Sequence, residues 1–252
     1  GVWQIVEFLK KFNIGIENAK RIYDKLGAMA IETIEENPYV LIDLVRGINF
    51  KQIDEMALKL GTDAGSLKRI TSGIKYALIQ ISYNGHSCVI LQNLEEFVVN
   101  LLNISIDEVE NGIIHLKAKG EIIIENRDDD TEWVYLESFY NTEVAICNRL
   151  NKLSETENSK KVKNVEDEMK RVENENEIEL SKKQKEAVQA INDNNITIIT
   201  GGPGTGKTTI IKSIIEIYIK QNNKIVLAAP TGRAAKRMTE MTGIEASTLH
   251  RL

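Results

Sequence analysis

The sequence predicts a multidomain fold: an all-α helix-hairpin-helix bundle and a winged helix, followed by the start of a P-loop α/β domain. Three observations predict it. Apolar residues recur at helical spacing from Ile5 to Leu116, and two strand-like runs flank a polar tip between Ile122 and Leu136. Near the far end, the β-branched run Ile196-Thr197-Ile198-Ile199-Thr200 leads into Gly201 to Thr208, which satisfies G-x-x-x-x-G-K-[ST].

The chemistry of that motif follows from its parts. Glycines let successive backbone N–H groups turn inward around phosphate oxygens, and the helix expected from Lys207 points its positive end at the same anion. Gly202, Pro203, Gly204, Thr205, Gly206, Lys207, Thr208 and Thr209 are therefore the expected ATP-binding residues. Lys207 is expected to reach the β- and γ-phosphates and the Thr208 hydroxyl to ligate Mg2+, so these two are the candidate catalytic residues and Thr208 the metal ligand. The amphipathic run Ile210, Ile211, Ile214, Ile215 and Tyr218 supplies the helix the motif requires.

With 252 residues, 42% of them hydrophobic, the chain has room for one large domain or two to three small ones. The formal net charge of -5 argues against a uniformly basic nucleic-acid binder, but the charge is uneven. From Ser181 onward 11 Lys and Arg stand against 5 Asp and Glu, leaving 21 against 32 before it. The basic excess thus lies on the P-loop segment, where polyanions bind. Cys88 and Cys147 have neither zinc-ligand nor disulfide spacing, and buried free thiols in a reducing compartment are expected. No apolar run reaches membrane-spanning length and no leader is recognised, so the expectation is a cytoplasmic monomer. A start at Gly1 and an end in the apolar pattern at Leu252 suggest a fragment at both ends.

Residues 1–82 read as a tandem helix-hairpin-helix bundle. Ile5, Phe8, Leu9 and Phe12 precede the break Asn13-Ile14-Gly15; Ala19, Ile22, Tyr23 and Leu26 follow it, closed by Gly27. Asn13 stands where a first Gly is usual, which suits a residue that visits positive φ. The grammar repeats with Leu41, Leu44 and Val45, the turn Gly47-Ile48-Asn49, and Ile53, Met56, Ala57 and Leu60. Such turns present backbone N–H groups to a DNA phosphate; plain αα-hairpins used for packing are the other reading. A third helix is expected over Leu67 to Ile81.

Residues 83–153 begin with a break in which His86 fits a turn role, not catalysis. Helices over Leu91 to Leu102 and from Ile106 to Leu116, then strands at Ile122 to Glu125 and Trp133 to Leu136, spell a winged helix. Its acidic tip, Asp128-Asp129-Asp130, repels phosphate, which favours a packing or protein-contact module over a DNA reader. A helix over Asn141 to Leu153 closes the unit. Residues 154–179, rich in Glu, Lys and Asn, read as a solvated helix or charged linker, and 180–252 as the first part of the ATPase domain.

Ser181 is a good N-cap for the helix carrying Gln184. A carboxamide has the donor and acceptor that adenine N7 and N6 require, so Gln184 is a candidate adenine reader. After the P-loop helix, Lys224 to Ala229 reads as a second buried parallel strand, giving a βαβ unit. It ends in Pro230-Thr231-Gly232-Arg233-Ala234-Ala235-Lys236-Arg237, at the sheet edge where ligands bind. Thr231, Gly232, Arg233 and Lys236 are the candidate contacts to a second phosphate, that of a DNA strand.

Gln184, the stretches Gly201 to Thr209 and Ala229 to Met238, and Thr248 to Leu252 together resemble the opening motifs of RecD-like helicases, the RecD/TraA branch of superfamily 1B. The first 150 or so residues look like the helix-hairpin-helix and winged-helix extension of the long form. The resemblance implies a RecA-like ATPase domain in an ATP-dependent 5'-to-3' DNA helicase. In it Gln184 reads adenine, the P-loop binds ATP and Mg2+, and Thr231 to Arg233 touch single-stranded DNA. No strand ending in Asp-Glu and no later arginine-finger motif occurs within the 252 residues, so this stretch is expected not to unwind DNA by itself. Two other readings remain: a nucleotide-switched DNA-binding or loader module, and a small-molecule P-loop kinase, which leaves the hairpins and Arg233 without a role.

Overall fold

The computed structural model describes residues 1–45, 48–157 and 161–252, and they form two compact units, 1–144 and 145–252. In the first, α1 (Val2–Lys10) buries Ile5, Val6 and Leu9, and α2 (Ile16–Leu26) buries Ala19 and Ile22. The chain reverses between them because Asn13 takes a left-handed φ of 58°. A 3-10 turn, Gly27–Met29, leads to α3 (Ala30–Glu36), a helix that the repeat pattern did not anticipate. The second helix pair is α4 (Val40–Leu44) and α5 (Phe50–Lys59). Gly47, expected in its turn, lies outside the described residues. Phe50, fully buried, packs between the rings of Tyr39 and Tyr76, with centroids 5.9 and 4.9 Å away.

Helix α6 (Leu67–Tyr83), capped by the Ser66 side chain, runs past both halves of this unit. Beyond it come β1 (Cys88–Ile90), α7 (Leu91–Leu102), α8 (Ile106–Ala118), β2 (Ile122–Asn126) and β3 (Glu132–Leu136). The strands form one antiparallel sheet in the order β1-β3-β2, with Val134 opposite both Val89 and Ile124 on the face that joins the core. Helix α8 approaches α6 through Gly112, where a Cβ would lie 2.5 Å from Ile70 Cγ2. On the other face of the sheet, Arg127 covers the Trp133 ring at 3.9 Å and donates to Tyr135 Oη at 3.0 Å. Cys88 is only half-buried and Cys147 is exposed, correcting the expectation of buried thiols. Cys147 lies on α9 (Glu137–Glu155), which buries no side chain fully and crosses the division between the units.

The second unit contains α10 (Val165–Asn176), α11 (Lys182–Asp193), α12 (Lys207–Lys220), β4 (Leu227–Ala229), α13 (Gly232–Thr242) and β5 (Ala246–Thr248). Helix α10 corrects the reading of 154–179 as a solvated helix or linker. Val165, Met169 and Val172 form one apolar stripe at helical spacing, buried against Leu180, Val188, Ile210 and Ile217. The parallel pair is β4 with β5, joined by α13, in the register Leu227 to Ala246 through Ala229 to Thr248. Residues 196–200 belong to no ladder among the described residues, and Ile198 is 85% exposed. The expected βαβ unit through the P-loop helix is therefore replaced by β4-α13-β5: β-branched residues favour an extended chain, but only a paired neighbour makes it a strand. No helix of the described residues is long and apolar enough to cross a membrane.

Candidate nucleotide and nucleic-acid site

The loop from Gly201 to Gly206 is shaped by residues that a side chain would obstruct. Gly204 and Gly206 hold left-handed φ values of 74° and 82°, and a Cβ on Gly201 would lie 2.7 Å from Thr205 Oγ1. Gly206 caps α12, so Lys207 is the first helical residue and Thr208 the second. The Lys207 ammonium donates to the carbonyls of Gly201 and Gly202, and Thr205 Oγ1 donates to Gly202 O at 2.8 Å. One cation, one hydroxyl and a helix N-terminus thus converge on a turn of about six residues. Thr208 is exposed and Thr209 half-exposed.

Gln184, expected on sequence grounds to read a base, meets this loop. Ser181 and Gln184 form a reciprocal capping box at the start of α11: Gln184 Oε1 accepts from Ser181 N at 2.8 Å, and Ser181 Oγ accepts from Gln184 N at 3.3 Å. Gln184 Nε2 donates to the Gly206 carbonyl at 3.5 Å. A cleft of about 590 Å3 runs between α11 and the loop, lined by Gln184, Ala187, Thr200, Gly201, Thr205 and Lys207 among others. Behind it stands a residue that sequence reasoning missed. Glu173 of α10 accepts from Leu180 N at 2.7 Å and from Lys185 Nζ at 2.9 Å, and these bonds hold its carboxyl below the usual range. Its signal was the apolar stripe of α10, which places Glu173 beside Val172.

The residues present suit a nucleotide triphosphate. The left-handed glycines, the α12 N-terminus and Lys207 supply donors to phosphate oxygens, and Thr208 offers a hydroxyl to a divalent cation. Among the described residues no group of three His, Cys, Asp or Glu is placed to hold a metal.

The second candidate group opens α13, at the carboxyl end of β4. Thr231 Oγ1 accepts from Ala234 N at 3.2 Å, so the Thr231 hydroxyl serves as the helix cap. Thr231, Gly232, Arg233 and Lys236 are all exposed, and among the described residues neither Arg233 nor Lys236 enters an ion pair. Helix α13 packs on α12. In the first unit, the turn at Asn13 is bound to the start of α5: Gln52 Nε2 donates to Phe12 O at 3.1 Å and Asn13 O at 2.6 Å. The Asn49 side chain already accepts from Lys51 N at 2.9 Å, and the side chains of Lys20 and Lys51 face solvent.

Two families match. Residues 1–88 match the family described as the ATP-dependent RecD2 DNA helicase HHH domain, and residues 184–252 match the AAA domain family. The chain is similar to the ATP-dependent RecD2 DNA helicase of Deinococcus radiodurans, 25% identical over 256 residues that cover 97% of this chain and 35% of the relative. It is also similar to the RecBCD enzyme subunit RecD of Mycolicibacterium smegmatis, 36% identical over 27% of this chain and 17% of the relative. The ATP-dependent DNA helicase dda of Enterobacteria phage T4 is 45% identical over 25% of this chain and 15% of its own length. The chain spans about a third of the length of the Deinococcus relative.

Proposed function

We propose that this chain, whose residues 1–88 match the HHH domain family of RecD2 helicases and whose residues 184–252 match the AAA domain family, is the N-terminal part of a cytoplasmic, RecD-like, ATP-dependent 5'-to-3' DNA helicase that binds ATP with Mg2+ and single-stranded DNA. One observation carries the nucleotide reading: the Lys207 ammonium, the Thr205 hydroxyl and the N-terminus of α12 converge on a loop whose conformation requires glycine. In this reading Lys207 exchanges the carbonyls of Gly201 and Gly202 for the β- and γ-phosphates, backbone N–H groups of the loop enclose the phosphate oxygens, and Thr208 ligates Mg2+. Mg2+ held there by the Thr208 hydroxyl would supply positive charge against the phosphates. Gln184 reads the adenine edge.

Thr231, Gly232, Arg233 and Lys236 hold a phosphate of the DNA strand, through the α13 N-terminus and two exposed cations. We read residues 1–82 as the tandem hairpin bundle. The order α6-β1-α7-α8-β2-β3 supports a winged helix, whose tip at Asp128 to Asp130 favours packing or protein contact over DNA.

Calorimetric titration with Mg-ATP tests the nucleotide site. Lys207→Ala is expected to weaken binding at least about tenfold, since it removes a charge-assisted contact to phosphate. Equal affinity for the two proteins overturns the assignment. The loader or switch reading is favoured instead if nucleotide binds normally and changes DNA affinity while the longer protein containing these residues hydrolyses no ATP.

A further inference from the structure

The carboxamide of Gln184 is held from two sides. Its oxygen faces the Ser181 N–H at 2.8 Å and its nitrogen the Gly206 carbonyl at 3.5 Å. The fit at the second point is close: a Cβ on Gly206 would stand 2.2 Å from Gln184 Nε2. Reversing the amide sets oxygen against the Gly206 carbonyl and NH2 against the Ser181 N–H, acceptor on acceptor and donor on donor. Only one orientation satisfies both neighbours. Each bond uses one of two amide hydrogens and one of two oxygen lone pairs, so one donor and one acceptor remain. Adenine N7 and its 6-amino group require that pair, whereas guanine presents two acceptors on the same edge.

The anchor is itself held. The Ser181 hydroxyl closes the capping box on Gln184 N, and Glu173 fixes the chain on either side through Leu180 N and Lys185 Nζ. Three lysines, Lys182, Lys183 and Lys185, occupy the first turn of α11 with no acidic residue, against the preference of a helix N-terminus for negative charge. The box and Glu173 therefore stabilise a helix start that its own charges disfavour.

We propose that Ser181 is a positioning residue for base recognition: with Glu173 behind it, it holds the Gln184 carboxamide in the one orientation that accepts adenine and rejects guanine. This inference rests on the reading of the P-loop and Gln184 as a nucleotide site.

The test is the ratio of ATP to GTP affinity of the 252-residue chain, measured by titration with Mg-ATP and Mg-GTP. Ser181→Pro removes the N–H that holds the amide oxygen and suits the backbone φ of -61°. It is expected to lower the ratio by about fivefold, the effect of one ordinary hydrogen bond. Ser181→Ala, which keeps the N–H and loses the hydroxyl, falls between Ser181→Pro and the unaltered chain, and Ser181→Thr restores the ratio. Ser105 makes the same reciprocal box with Glu108 at the start of α8; Ser105→Ala therefore loses a comparable cap and leaves the ratio unchanged. If Gln184→Ala lowers the ratio and neither Ser181→Pro nor Ser181→Ala does, the positioning role is overturned while the base-reading role survives. If Gln184→Ala leaves the ratio unchanged, or the unaltered chain binds neither nucleotide, the underlying reading fails and this inference with it. Should Ser181→Pro not fold, an unchanged ratio in Ser181→Ala overturns the proposal.

Discussion

Arg69 grips Asp54 through two parallel bonds of 2.8 Å, Nε to Oδ1 and Nη2 to Oδ2, with both side chains almost wholly buried. The guanidinium also donates to the carbonyls of Ala64 and Leu102, so one side chain joins α5, α6 and the end of α7. Its pKa is raised, first by the hydrogen bond to Asp54. Removing one partner leaves an uncompensated charge in the core. Arg69→Met is expected to destabilise the first unit by about 3–5 kcal/mol, and Asp54→Leu combined with Arg69→Met by less. Both tryptophans, Trp3 and Trp133, lie in this unit, so urea unfolding followed by tryptophan fluorescence reports on it selectively. A single variant no less stable than the double one refutes the prediction.

Tyr39 donates to the same carboxylate, at 2.5 Å. Burial first, then the bond to Asp54, pushes its phenol above the ordinary value. A group whose folded pKa exceeds its unfolded one stabilises the fold fully below the unfolded value, here about 10, and loses that contribution as pH rises beyond it. Tyr39→Phe should cost about 1.5–3 kcal/mol at neutral pH, as for a hydrogen bond to a charged group. It should also make the loss of stability between about pH 9 and 11 shallower. Equal slopes in the two proteins, from unfolding curves across that range, would sink the assignment.

Helix α10 supplies a sharp distinction between a packed element and a tether. Met169 is 5% exposed and belongs to the core of the second unit with Val172, Leu180 and Ile217. Met169→Ala is expected to destabilise that unit by about 2–5 kcal/mol, whereas a solvated linker would tolerate it within about 0.5 kcal/mol. Thermal unfolding followed by circular dichroism decides between them, with limited proteolysis between residues 161 and 178 as the second readout.

That helix also shows where the sequence was hard to read. Val165, Met169 and Val172 have helical spacing, but three apolar residues among Glu, Lys and Asn look like chance until a partner surface is known. Helices α6 and α7 were legible because their apolar stripes recur over three turns or more, and the P-loop because its glycines and Lys207 form a pattern with one physical use. Strands β1 and β5 have three residues each, too few for alternation to register. Residues 196–200 failed in the opposite way: their composition was strand-like, but pairing is a property of neighbours, not of the run itself. Gln184 was singled out by its residue type and position and lies against the Gly206 carbonyl, while Glu173 acts through Leu180 N and Lys185 and carries no motif.

The DNA reading separates the α13 opening from the hairpin turns. Arg233 and Lys236 face solvent without an ion pair among the described residues, whereas in the first unit Asn49 accepts from one of the free N–H groups of α5 and Gln52 binds the carbonyls of Phe12 and Asn13. A cation that neutralises one phosphate of a single strand contributes about -0.7 to the slope of log affinity against log salt, while a backbone N–H contributes little. Arg233→Ala should therefore weaken single-strand binding and flatten that slope by about 0.7. Lys20→Ala and Lys51→Ala should do neither. The net charge of -5 opposes a polyanion overall, so fluorescence anisotropy with an oligonucleotide belongs at low salt, where the contribution of Arg233 is largest. If Lys20→Ala or Lys51→Ala lowers affinity as much as Arg233→Ala, the hairpins are the DNA contacts and the ranking is reversed. If none of the three matters, neither the α13 opening nor the hairpin turns hold a DNA phosphate through these cations, and the DNA assignment of Thr231 to Lys236 is overturned.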